Sequence, residues 1–321
     1  MSIADKLQEL INSKADMKSA IAEKGVEVEG GLTTYAAAIR KIQQGLGDRF
    51  AAIGYNKENT GGFLQEVNTN LDVADEILAE WNSTEWANVD MNKWKDVAVY
   101  FPAVDLTRYP SYNIFRFLEW SKLQVVPSLD FTGKTNMNAL FFKCKSLKYI
   151  GNIIGTESVT NMSLAFSECS SLTSIPYFDT SSATSMHDMF NGCTSLTSIP
   201  QLDTSSVSSM SDMFEGCLSL TSIPLLDCSS ITNTYSPFRY VSLNELTDLG
   251  GFKNLKVSWD YNFLKRVPYA TVESLMNVIN NLYDLTANGL SGQTLNFGTT
   301  NLNKLTDEQK AVAINKGWTL I

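Results

Sequence analysis

Residues 171–176 read Ser171-Leu172-Thr173-Ser174-Ile175-Pro176, and the same six letters return at 195–200 and again at 219–224. After each proline comes an apolar-Asp pair: Phe178-Asp179, Leu202-Asp203 and Leu226-Asp227. Before each comes Phe-x-x-Cys, from Phe166 to Cys169, Phe190 to Cys193 and Phe214 to Cys217. The step is 24 residues. A fixed period of this size belongs to chains whose units bury their apolar positions only against their neighbours.

The register extends outward from this stretch. Upstream, Phe141-x-x-Cys144 precedes Leu147, with Gly151 where the proline stands elsewhere, and Phe117-x-x-Trp120 precedes Leu123, Pro127 and Asp130. Tyr100-Phe101-Pro102 and Val104-Asp105 read as the tail of an earlier unit, and Phe238 and Leu243 continue the pattern one residue short. The array therefore spans residues 96–260. Within each repeat, Leu-x-x-Ile is expected to be a short strand stopped by proline, which donates no ladder hydrogen bond. Asp-Thr-Ser-Ser then turns, its side chains bonding nearby backbone. Ser211-Asp212-Met213-Phe214 reads as one helical turn. The expected core is the file Phe141, Phe166, Phe190 and Phe214 beside Cys144, Cys169, Cys193 and Cys217.

The recurring letters resemble a known class. Leu-Thr-Ser-Ile-Pro, Leu-Asp-Thr-Ser-Ser and Met-Phe-x-Gly-Cys are similar to the BspA-like leucine-rich repeats and to the related repeat of mycoplasma surface lipoproteins. The resemblance covers about half the chain. It implies a right-handed leucine-rich-repeat solenoid and a surface or adhesive role, and it does not imply an enzyme.

Charge narrows the partners. The chain of 321 residues carries a net charge of −9, which disfavours nucleic acid and anionic lipid alike. No Lys or Arg lies between Lys148 and Arg239, while eight carboxylates do, Glu157 through Asp227. Five cysteines, four of them one per repeat, read as small buried residues rather than a disulfide framework. A zinc site needs converging ligands, which one Cys per repeat does not supply. The Asp column (Asp130, Asp179, Asp203, Asp227) reads as turn-forming, since calcium-binding rolls use Gly-rich nonapeptides with several carboxylates each. His187 is the one histidine, and nothing in the repeat holds a nucleophile beside it. No phosphate loop or metal spacing stands out, and no cofactor is expected. No signal peptide and no membrane span are visible.

The flanks differ from the array. Ile3, Leu7, Leu10, Ile11, Met17 and Ile21 form an amphipathic face, and Thr33-Thr34 cap a second helix through Ile42. Residues 1–45 are thus a helical hairpin with too little core to stand alone, a docking or oligomerising piece. Lys14 through Ile21, Lys24-Gly25-Val26, Tyr35, Ile39 and Ile42 resemble a module found near the ends of tailed-phage structural proteins. Residues 46–95 link and cap. Trp81, Trp86 and Trp94 there either cover an end of the array or stack on sugars. In residues 261–321, Thr271 caps a helix to Tyr283, Leu255-Lys256-Val257 just upstream reads as a strand, and Thr306-Asp307-Glu308-Gln309 is a capping box. With short strands at 295–297 and 318–321, this makes an α/β C-terminal cap.

The fold expected is therefore α+β: a helical hairpin, a leucine-rich-repeat solenoid and an α/β cap. The function expected is a non-enzymatic virion protein of a tailed bacteriophage. Residues 1–45 would join other virion proteins, or a second copy of the chain, and the repeats would meet a host-surface glycan or protein. The alternative is a bacterial cell-surface adhesin of the BspA-like type. In both, the candidate binding face is the hydroxyl column Thr173, Ser174, Thr197, Ser198, Thr221 and Ser222. It offers neutral donors and acceptors at low side-chain entropy cost.

Overall fold

The structure, a computed structural model, describes residues 91–101, 116–233, 235–238, 243–259 and 263–321, with Glu76, Ile77, Ala79 and Leu106. All lie in the second of the chain's two units, Glu58–Ile321. The hairpin expected over 1–45 lies outside the described residues, as do Trp81 and Trp86. Trp94 is buried, so it offers no face to a sugar.

The leucine-rich-repeat solenoid is not the architecture that forms. Among the described residues the chain is mixed α/β, with strands scattered in three separate two-stranded parallel sheets. Strand β1 (Val125–Asp130) pairs with β2 (Tyr149–Ile154), and β3 (Leu226–Asp227) with β4 (Phe252–Lys253). No strand forms at 172–175 or 196–199, and 220–223 holds a single bridge, Ser222 to Asp248. In these segments Leu172, Ile175 and Phe178 turn inward, as do Leu220, Ile223 and Leu226. That is every third residue, the period of polyproline II. Pro176, Pro200 and Pro224 favour that form and remove an N–H from each would-be ladder. The period alone does not withhold pairing, since Ile150 and Ile153 of β2 keep it and pair with β1.

Consecutive repeats are instead tied along the segment that reads Met-x-x-Met-Phe-x-Gly-Cys. The N–H groups of Met186, Asp188, Phe190 and Gly192 donate to carbonyls of Ser209, Ser211, Met213 and Glu215 in the next repeat, at 2.7–3.1 Å. The intervening Met189, Asn191 and Cys193 close turns onto carbonyls three residues back, at 3.0–3.2 Å. The same alternation runs through 137–143 and 162–168. It requires left-handed backbone twice per repeat, at Asp188 (φ 54) and Gly192 (φ 73) and at Leu164 (φ 60) and Glu168 (φ 59). The helical turn expected at Ser211–Phe214 is thus a run of turns broken by Asp212, φ 58.

Under this ladder the phenylalanines pile up. Phe117, Phe141, Phe166, Phe190, Phe214 and Phe238 stack in order with ring centroids 5.2–6.0 Å apart. Phe101 and Phe252 close the two ends edge-on.

Beyond Phe263 the chain changes character. Helix α1 (Val272–Asn281) is capped by Thr271, whose hydroxyl accepts the Ser274 N–H at 3.1 Å. After β5 (Gln293–Leu295) come α2 (Gly298–Leu302) and α3 (Asp307–Asn315), the latter opened by a capping box of Thr306 and Gln309. The last strand, β6 (Trp318–Leu320), pairs with β5. Lys316 donates to the carbonyls of Ile279, Asn280 and Leu282 (2.7–3.2 Å), satisfying the open end of α1 with the favourable sign of charge. The strand expected at Leu255–Val257 does not form; Phe252–Lys253 takes the pairing.

Candidate binding face

The three-residue period splits each extended segment into one buried edge and two outer ones. Thr173 and Pro176 share one outer edge, and Ser174 and Tyr177 the other. The next repeats place Thr197 with Pro200 and Ser198 with Gln201, then Thr221 with Pro224 and Ser222 with Leu225. Five of the six hydroxyl residues are exposed, and Ser222 is half-buried.

The two outer edges differ in what their hydroxyls can do. Thr197 Oγ1 donates to the Thr173 carbonyl and Thr221 Oγ1 to the Thr197 carbonyl, both at 3.2 Å. The backbone N–H groups of Thr197 and Thr221 donate to the same carbonyls at 3.2 and 3.1 Å. Thr197 and Thr221 are therefore rung-to-rung ties whose hydroxyl donors are spent inside the chain, while Thr173 takes part through its carbonyl. Ser174 and Ser198 make no such tie and keep their hydroxyls for the outside. A sequence reading that grouped Thr and Ser as one surface missed this division.

It also missed Tyr177, at 71% the most exposed large hydrophobic side chain among the described residues. The signal was available: the position after each proline changes in chemical type (Tyr177, Gln201, Leu225) while the next stays apolar (Phe178, Leu202, Leu226).

Around the face the polar groups are held in turns. Asp130, Asp179, Asp203 and Asp227 each accept the backbone N–H two residues on, at 2.8–3.0 Å. The Ser181 hydroxyl and N–H bonded to it hold the Asp179 carboxyl below the usual range, so it is charged at neutral pH. Lys253 reaches Asp227 at 3.4 Å. Thr156, Thr180 and Thr204 are buried and donate forward to the carbonyls of Asp179, Asp203 and Asp227, at 2.8–3.0 Å.

Behind the face the thiols are locked. Cys144, Cys169, Cys193 and Cys217 are fully buried, and each donates Sγ–H to the carbonyl of the preceding repeat's phenylalanine, at 2.7–3.1 Å. Burial pushes Cys144 and Cys193 up to about 12, and Cys169 and Cys217 well above the usual thiol range. These are inert side chains at neutral pH.

His187 holds Asp188 Oδ2 through Nδ1 at 2.8 Å, and the Ser211 hydroxyl stands 3.5 Å from that same nitrogen. A base that activates a serine uses one ring nitrogen for the serine and the other for the carboxylate. This arrangement does not do so. Among the described residues no cluster of three or more His, Cys, Asp or Glu side chains could hold a metal ion. Nor is any helix there long and apolar enough to cross a membrane.

A family described as Mycoplasma protein of unknown function, DUF285, matches residues 121–248, and the chain is similar to it over that stretch. No curated protein and no solved structure matches.

Proposed function

We propose that the chain is a non-enzymatic binding protein of a bacterial cell surface. Its repeats would present the Ser/Thr and Tyr177 edges to a glycan or protein of another surface. The observation that carries the reading is the contrast within each repeat: a densely tied turn side, and an outer face of hydroxyls free of any Lys or Arg. The similarity to a Mycoplasma repeat family over 121–248 supports the surface reading over the virion one. Nothing in the comparisons supports a phage module at residues 14–42. Residues 1–45 remain the segment through which the chain would be anchored or joined to a second copy. No cofactor and no catalytic group enters this reading.

The test is attachment. Replacing Thr197 and Thr221, both exposed, by Arg puts two bulky cations on the face. Each substitution also removes one tie at the surface. The variant is expected to fold, as read by far-ultraviolet circular dichroism, and to lose binding to target cells. Attachment at the wild-type level would place the binding surface elsewhere.

A further inference from the structure

Resting on that reading of the face, we propose that Tyr177, with Ser174 and Ser198, forms a subsite for a neutral sugar unit of a polysaccharide lying along the repeats. The first ground is Tyr177 itself. The corresponding positions hold Gln201 and Leu225, so the packing of the repeat does not call for an aromatic ring there. The ring is 71% exposed, so it covers little of the core. An aromatic ring with one open apolar face is the surface on which a sugar's C–H face stacks, while its hydroxyl tip stays polar.

The second ground is the company the ring keeps. Ser174 lies on the same outer edge three residues back, and Ser198 on that edge of the next repeat. Neither hydroxyl has a hydrogen-bond partner among the described residues, whereas those of Thr197 and Thr221 do. Each hydroxyl both donates and accepts, as a sugar hydroxyl requires of its partner. Gln201, beside Tyr177 in the next repeat, has its amide tied to the Leu202 and Leu225 carbonyls at 3.1 and 3.0 Å. It therefore forms a fixed wall of the subsite.

Charge narrows the ligand. No Lys or Arg lies between Lys148 and Arg239, and Asp179 and Asp203 each stand two residues after the edge positions Tyr177 and Gln201. A uronate, sulfated or sialylated chain would meet like charge without a compensating cation; a neutral chain would not. Each repeat presents one such outer edge, and among these edges Tyr177 supplies the apolar platform.

The experiment is affinity electrophoresis of the full chain through gels containing a neutral β-glucan, a galactan or a mannan, with carboxymethylated glucan as the anionic control. At least one neutral polymer should retard the wild type and the anionic one should not. Tyr177→Ala should weaken the retardation about tenfold or more, while Tyr177→Trp retains it. The proposal is overturned if none of the neutral polymers retards the protein, or if Tyr177→Ala is retarded as strongly as the wild type. Cell attachment separates this failure from that of the broader reading. Attachment abolished by the two arginines, indifferent to Tyr177→Ala and lost when target cells are treated with protease would keep the face and replace the sugar with a protein. Attachment that survives the arginines would sink the face itself.

Discussion

Each repeat has two sides that share one chain and obey different rules. On the turn side every second N–H crosses to the next repeat, and the intervening ones close turns. Phe and Cys recur there and are fully buried, while the letters between them change from unit to unit. Between the extended segments 171–178, 195–202 and 219–226 the backbone crosses at a single threonine each time, the Gln201 amide adds one side-chain tie, and the residue after the proline is Tyr177, Gln201 or Leu225. The difference teaches where the stack is held and where it is free. Because the turn side satisfies the backbone and fills the core, substitutions on the extended side need only leave the inward third residue in place.

The largest effect should come from breaking the stacked file. Phe190 is fully buried between Phe166 and Phe214, at ring distances of 5.6 and 6.0 Å. Phe190→Ala is expected to cost about 3–5 kcal/mol, the range for truncating a buried aromatic side chain. Leu225→Ala, on the extended side of the following repeat, should cost less than about 0.5 kcal/mol. Denaturant midpoints at constant m compare the two directly. Equal losses would mean that the two sides do not divide the work as described.

A smaller effect should appear where the turn side depends on left-handed backbone. Gly216 has φ 73, and a Cβ there would sit 3.3 Å from Gly192 Cα. Gly216→Ala should cost about 1–2 kcal/mol, the strain of a side chain in this region. The same column carries Lys143 and Glu168 at φ 61 and 59, joined by an ion pair at 4.0 Å. A midpoint unchanged by Gly216→Ala would show that the turn ladder tolerates a side chain at this rung without strain.

Much of this division was written in the sequence, and some of it was misread. The step of 24 residues and the recurring Phe and Cys are legible because a buried column repeats its letters, and those side chains do lie buried. The capping residues Thr271 and Thr306 are legible because a cap is a local device. The leucine-rich-repeat solenoid rested on resemblance, and the strands it requires at 172–175 and 196–199 do not form. Leu172, Ile175 and Phe178 are three apart, a spacing that does not by itself call for a pleated strand. The turn ladder was legible only in part: Asp188, Asp212, Gly192 and Gly216 are residue types that enter the left-handed region readily, but Leu164 and Glu168 are not, and there the neighbouring repeat imposes it. The division of Thr from Ser hydroxyls was hidden for the same reason, since it depends on which carbonyl the stack brings within reach.

The smallest expected effect lies on the turn side, where one repeat departs from its neighbours. His187 stands where Ser163 and Ser211 stand in the flanking repeats. The Asp188 carboxylate hydrogen-bonded to Nδ1 raises its pKa, the nearby charge of Asp212 adds to that, and partial burial opposes both. A histidine whose folded pKa exceeds its unfolded value near 6.5 stabilises the fold fully below that value. The contribution is lost as pH rises through the folded pKa. With the imidazole 44% exposed, solvent screening keeps the effect below about 1 kcal/mol. The advantage of the wild type over His187→Ser in denaturant midpoint should therefore be larger at pH 5.5 than at pH 8. Taking the difference between the two proteins at each pH cancels the titration of every group they share. A gap that is the same at both pH values would show that the imidazolium contributes nothing to the turn ladder, and that His187 is as replaceable there as the residue after each proline is on the other side.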